Sequence, residues 1–240
     1  MKLKLDLHIH SKESPDGRMT IEEIIAEAKK IGLDGAAVCD HDTLTSFEKQ
    51  NVPDDFMLIP GEEFSTKYGH ILGLFLTEPI LSTDPSEIIH EIHKQNGISV
   101  LAHPFERHRD PSRFNAIIDM LDGVEIWNGR ANRKNKQANE MAVSFARKHG
   151  FAFFAGSDAH VPREIGNGCV TVNVDVKTEA AIKRALLSPE NEVSGKEGRQ
   201  IDVARSQWTK LNEKKNANIF NRLKWFAFAL KCVAGDLFIK

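Results

Sequence analysis

Apolar residues fall in short runs along this chain, and most runs end in polar residues. The first alternates strictly: Leu3, Leu5, Leu7 and Ile9 belong to one face of a strand, and Lys4, Asp6, His8 and His10 to the other. A loop follows, and Thr20-Ile21-Glu22-Glu23 then reads as a capping box. It opens a helix whose stripe Ile21, Ile24, Ile25, Ala28 and Ile31 stops at Gly32. Residues 35–41 have the continuous apolar character of a buried parallel strand. Further strands are predicted at 56–60, 71–76, 98–102, 123–128 and 151–155, with helices at 84–97, 114–121 and 134–149. Another strand at 169–174 and a helix at 178–187 complete the series. Repeated units of strand, polar end and helix predict a parallel, barrel-like α/β architecture of seven strands, with its chemistry at the C-terminal strand ends. The link between the third and fourth strands is too short for a crossover helix, so the repeat is broken there.

Composition changes this picture little. The 240 residues are 41% hydrophobic and 28% charged, as expected of a globular chain. Charge is unevenly spread. From Arg199 onward nine Lys/Arg face three Asp/Glu, a surplus of six, which leaves the first 198 residues at −8 of a total of −2. An acidic body suits cations better than nucleic acid. Cys39, Cys169 and Cys232 are few, odd in number and widely spaced, which favours a reducing compartment. Lys2, Lys4 and Asp6 interrupt any secretory core, and no run approaches the ~20 apolar residues of a membrane span. A cytoplasmic protein is expected.

The polar strand ends carry the chemistry. They collect His8, His10, Asp16, Asp40, His41, Glu63, His70, His103, Asp158 and His160, which include six of the ten histidines. Imidazole and carboxylate without thiolate suit Zn, Mn or Fe, and the set is too large for one four-coordinate ion. Two or three divalent metals are expected. Metals ~3.5–4 Å apart can hold a bridging hydroxide and stabilise an in-line displacement at phosphorus. Glu63 is the expected bridging carboxylate, because Glu62 points elsewhere on an extended segment.

Asp-Leu-His8-Ile-His10, Asp40-His41, Gly61-Glu62-Glu63, Ala-His103-Pro and Gly-Ser-Asp158-Ala-His160, in this order, resemble the PHP (polymerase and histidinol phosphatase) family over about the first 168 residues. The resemblance implies a distorted seven-stranded (β/α)7 barrel with a trinuclear site acting on phosphoesters. It implies metal ligation by His8, His10, Asp16, His41, Glu63, His70, His103, Asp158 and His160, and catalytic roles for Glu63, Asp40 and His160, Asp40 from behind the ligands. Asp16 stands where some members have histidine, and Cys39 where threonine commonly precedes the Asp-His pair. Only residues 77–97 separate the fourth strand from Ala-His103-Pro, where nucleotide-acting relatives often carry a large insertion.

Phosphate also needs cationic donors, and Arg107, Arg109, Arg130 and Arg163 follow strand ends. The chain divides into a barrel of residues 1–194 and a basic, aromatic-rich helical C-terminal extension of residues 195–240. In the extension Arg199, Arg205, Lys210, Lys214, Lys215, Arg222, Lys224 and Lys231 interleave with Trp208, Phe220, Trp225, Phe226, Phe228 and Phe238. Packing on the barrel with homo-oligomer contact is favoured over binding to membrane or nucleic acid, since the aromatics need burial. The expected function is a metal-dependent phosphoesterase for a small phosphorylated metabolite, nucleotide or short single-stranded oligonucleotide. A metal-dependent amidohydrolase and a non-catalytic, metal-stabilised, nucleic-acid-associated module are the alternatives.

Overall fold

The computed structural model of the chain describes residues 1–45, 51–189, 191–213 and 218–238; Lys214 and Lys215 of the basic tail lie outside these. Strand β1 (Lys2–Ile9) is followed by helix α1 (Ile21–Lys30), whose Thr20 and Glu23 form the expected capping box. Next come β2 (Gly35–His41), β3 (Met57–Thr66), β4 (Gly69–Leu74), α2 (Pro85–Lys94) and β5 (Ile98–Ala102). After these lie β6 (Gly123–Asn128), α3 (Ala138–His149), β7 (Ala152–Gly156), β8 (Gly168–Asn173), α4 (Glu179–Leu186) and β9 (Glu192–Gly195).

One sheet of nine strands runs in the order β7-β6-β5-β4-β3-β2-β1-β8-β9. It nearly closes on itself, because residues following β7 return to the end of β1: His10 N donates to Ala159 O (2.8 Å) and Asp158 N to His8 O (2.8 Å). Beyond the seven strands of the expected barrel the sheet has two more, β8, which is the further strand expected at 169–174, and β9, which was not expected. The added β8 and β9 run antiparallel beside β1, so the count of seven describes β1 to β7 alone. β3, β4 and β5 are also antiparallel neighbours, as their short connections require.

Within the sheet, Leu3, Leu5, Leu7, Ala37, Cys39, Ile59, Leu72 and Phe154 form the inner core. A second core lies under α2 and α3, and a third under α1. The strict alternation of β1 is corrected by the structure. Between Asp6, opposite Ala36, and Ile9, opposite Val38, β1 takes three steps to β2's two, which is a β-bulge. Parity changes there, so Leu3, Leu5 and Leu7 face the inner core while Ile9 turns outward to α1. His8 and His10 thereby join the inner side with the leucines. Asp6 remains on the other side, accepting from Ser157 N (2.9 Å) and Gly166 N (2.8 Å).

The helix expected at 114–121 is instead two 3₁₀ turns, Pro111–Phe114 and Ile118–Met120. Phe114 and Ile117 still bury, because their i, i+3 spacing serves either helix type. The tail forms two helices, α5 (Gln200–Glu213) and α6 (Ile219–Phe238). Asp236 of α6 accepts from the Gln200 and Ile201 amides at the start of α5 (2.7 and 3.1 Å), and Trp225 Nε1 donates to Ala204 O (2.7 Å). No helix of the described residues is long and apolar enough to cross a membrane.

Candidate metal centre

Glu63 stands opposite His41 in the β2–β3 register and is fully enclosed. Five imidazoles converge on its carboxylate. Oε1 lies 2.6 Å from His70 Nδ1 and 2.9 Å from His103 Nε2. Oε2 lies 2.9 Å from His41 Nδ1, 3.4 Å from His10 Nε2 and 3.6 Å from His8 Nε2. The remaining expected ligands extend this cluster. Asp158 Oδ1 is 3.4 Å from His10 Nε2, and Asp16 Oδ1 is 3.4 Å from His160 Nε2 and 3.7 Å from His41 Nε2. Four groups of donor atoms are close enough to share an ion: His10-His41-His160, His8-His10-Glu63, His8-His103-Glu125 and Glu63-His70-His103. Glu62 faces away, and burial together with the charge of Asp42 raises its carboxyl to about 7.

An outer layer orients these side chains. Glu125 Oε1 is 3.0 Å from His8 Nδ1, while its Oε2 accepts from His103 N (2.8 Å) and Asn128 Nδ2 (3.0 Å). Ser14 Oγ lies 3.0 Å from His10 Nδ1 and donates to Asp40 Oδ1 (2.7 Å), so it accepts from His10 and fixes that ring's tautomer. Asp40 also accepts from Ser11 N (2.7 Å), Ser11 Oγ (2.6 Å) and Thr45 Oγ1. Its oxygens thus tie the loop after β1 to the end of β2, behind the ligands. His103 and Asp158 adopt left-handed backbone, with φ of 27° and 54°. Strain of this kind persists where the surroundings over-determine a functional geometry.

The electrostatics call for positive charge among the rings. Burial disfavours an ionised Glu63, yet the charges of His70, His41 and His8 outweigh it and hold the carboxyl well below its ordinary range. Burial likewise opposes a charged His8, but Glu125 and Glu63 raise it well above an ordinary imidazole. His103 rises to about 9 by the same balance, with its hydrogen bond to Glu63 leading. His10 moves the other way, through burial and the neighbouring His160 and His41. His8 Nε2 and His10 Nε2 lie 3.1 Å apart, within hydrogen-bonding reach. The buried Glu63 Oε2 and Asp16 Oδ1 have no hydrogen bond, although imidazole nitrogens surround both. Imidazole nitrogens turned inward, the two unpartnered carboxylate oxygens and the absence of thiolate from the cluster fit divalent cations of the Zn, Mn or Fe type.

The four arginines are placed less uniformly. Arg130 is buried in a two-pronged ion pair with Glu164 (Nε–Oε1 2.7 Å, Nη2–Oε2 2.5 Å). Arg163 lines a recess with Lys4, Glu27 and Lys196. Arg109 is exposed, 3.4 Å from Asn135 Oδ1. Arg107 lines a recess with His70 and His103, and also a cavity of about 610 Å³ shared with Arg133, Lys134, Lys210 and Lys224. Lys210 connects that cavity to the ligand cluster, its Nζ 3.5 Å from Asp16 Oδ2.

Sequence reasoning missed Glu125, Ser14, Glu164 and the cavity lysines. Glu125 carried a signal, as the one charged residue within an apolar strand. Ser14 and Lys210 carried none that spacing could detect.

A family model described as PHP-associated matches residues 136–190. An uncharacterized protein of Methanocaldococcus jannaschii is 32% identical over 179 residues, covering 70% of each chain. Among solved structures, a two-domain protein from Bacteroides vulgatus containing a predicted PHP-like metal-dependent phosphoesterase superposes with a TM-score of 0.64. It is 20% identical and covers 87% of this chain and 70% of its own. Endonuclease Q, bound to a duplex with an abasic lesion, superposes with a TM-score of 0.61 at 20% identity, over 83% of this chain and 61% of its own.

Proposed function

This chain belongs to the PHP family, and on that premise we propose that it is a metal-dependent phosphoesterase, acting on a small phosphorylated metabolite, a nucleotide or a short oligonucleotide. The observation that carries the reading is Glu63, a buried carboxylate with both oxygens turned toward five imidazoles. His8, His10, Asp16, His41, Glu63, His70, His103, Asp158 and His160 would hold two or three divalent ions. Bound there, such ions supply Lewis acidity toward the phosphoryl oxygens and lower the pKa of water to about 7.

The chain's own residues do the rest. Glu125 and Ser14 hold the His8 and His10 rings in register, and Asp40 fixes the loop that carries Ser11 and Ser14. His160 directs its Nδ1 to the Asp158 carbonyl (2.9 Å), which keeps Nε2 available on the side of Asp16. Arg107, Arg133, Lys134, Lys210 and Lys224 offset Glu106 and leave the adjoining cavity strongly cationic, suited to the anionic body of a phosphoester. Barrel residues 1–194 carry the ligands in this reading, and the extension from residue 195 closes one side of the substrate cavity.

An amidohydrolase would be favoured by a lysine bridge; in this reading the carboxylate of Glu63 would take that place. The neighbouring likeness to a DNA-acting endonuclease supports including oligonucleotides among the substrates to be tried. The test is a phosphoester panel with protein loaded with Zn, Mn or Fe, comprising sugar phosphates, nucleoside mono- and bisphosphates and short single strands. Turnover that Glu63→Ala abolishes supports the reading. No hydrolysis of any member by metal-loaded protein sinks it.

A further inference from the structure

Helix α6 presents an apolar stripe that nothing among the described residues covers. Ile219, Leu223, Phe226, Leu230, Val233 and Leu237 are all exposed, between 46% and 75%. Their spacing is 4, 3, 4, 3 and 4, the 3.5-residue period of a coiled-coil seam. At 100° per residue the six fall within a band about 80° wide on the helix. The other side of α6 is already occupied: Ala229 and Cys232 are buried, and Trp225 and Phe228 pack with them against Ala204 of α5. The stripe is therefore a second apolar face on a helix whose first is satisfied.

The stripe is also complementary to itself. In an antiparallel pair related by a two-fold axis level with Phe228, Ile219 meets Leu237, Leu223 meets Val233, and Phe226 meets Leu230. Every member finds an apolar partner, as an isologous contact requires. Ala227 and Ala234 flank the stripe and are exposed, and their size allows close approach of a second helix. The exposed area is on the order of 800 Å² per chain, which matches one partner's share of a standard interface and exceeds the ~300–600 Å² patch of an ordinary monomer. A helix lying on lipid would show a wider apolar face bordered by basic residues, with its polar side free in water. Here Ala227 and Ala234 border one edge of a narrow band, Arg222 at the other edge turns its guanidinium over the Trp208 ring of α5, and the opposite side is packed.

We infer that α6 is a dimerisation element, pairing antiparallel with α6 of a second copy of this chain through the stripe from Ile219 to Leu237. The dimer joins two complete metal centres without adding a residue to either. This goes beyond the hydrolytic reading and does not depend on it.

Sedimentation equilibrium of the full chain tests the inference. The expected result is twice the chain mass at roughly 10 μM, within the range of specific interfaces of this size. Leu223→Glu combined with Leu230→Glu should give a monomer with unchanged helical circular dichroism and unchanged metal content. If that variant does not fold, Ala227→Arg obstructs the approach from an exposed flank and should weaken dimerisation at least tenfold. A wild-type monomer at roughly 100 μM overturns the inference. So does a dimer that both variants leave intact, or a monomer that floats with anionic vesicles, which would assign the stripe to lipid.

Discussion

Glu125 Oε1 lies 3.0 Å from Nδ1 of His8, across the barrel from a strand 117 residues earlier in the chain. The contact donates the Nδ1 proton to the carboxylate and leaves His8 Nε2 to face Glu63 and His10. Removing such an outer partner typically costs roughly 10–100-fold in metal affinity. Glu125→Ala should show that loss in competition with a chromogenic chelator. Glu125→Gln, which can still accept a hydrogen bond, should recover part of it. Equal affinity in all three proteins would deny Glu125 an orienting role.

Metal uptake should be strongly proton-linked. Burial opposes a charged His103, but Glu63 raises it to about 9, so metal-free protein carries that proton at neutral pH and loses it as pH climbs past about 9. Ligation needs the neutral ring, so binding at pH 7 to 8 releases protons and apparent affinity rises with pH. Calorimetry in two buffers of different ionisation enthalpy measures the release. About one proton or more per site is expected, and His103→Ala should reduce the number.

The buried Arg130–Glu164 pair is a structural joint. Glu164 Oε2 also accepts from His160 N (3.0 Å), and Arg130 Nη1 reaches Ser206 of α5 (3.4 Å). Arg130→Met would leave the carboxylate buried without its partner, a change that commonly costs about 3–5 kcal/mol. Urea denaturation of metal-free protein should register it. An arginine used only for substrate would alter KM and leave stability unchanged.

The cationic cavity makes a separable claim. Arg133 Nε is buried without a hydrogen bond, and Lys210 sits at the boundary with Asp16. Arg133→Ala and Lys210→Ala should each raise KM for a cleaved phosphoester roughly tenfold, the loss of one charge-assisted hydrogen bond of ~1.5 kcal/mol. Metal content should be unchanged. Unaltered KM in both variants would move substrate binding elsewhere.

Much of this architecture was legible because buried strands and capped helices leave strong local patterns. The runs around Val38, Val100 and Val124 became strands where expected, and the nine expected ligand residues meet in one cluster. What escaped was non-local. The bulge in β1 leaves Leu7-His8-Ile9 looking regularly alternating, since the extra residue shows only against β2. β9 is too short and too polar to announce itself, and Arg130 resembles any loop arginine until Glu164 is folded against it. The tail was read as one helical extension. The docking of α6 on α5 depends on the carboxylate of Asp236, near the end of α6, meeting amides 35 and 36 residues earlier.

That bulge has a consequence for how such a centre can be lost. Substituting a ligand removes one donor and leaves the others in place. An edit that suppresses the bulge while keeping the length of β1, so that Leu7, His8 and Ile9 pair in turn with Ala37, Val38 and Cys39, would restore regular alternation, keep a well-paired apolar strand, and rotate both histidines out of the barrel together. A folded barrel could thus be made blind to metal by an edit that changes no ligand's identity. Reading frame along a strand, as much as residue type, is what this chain uses to define its centre.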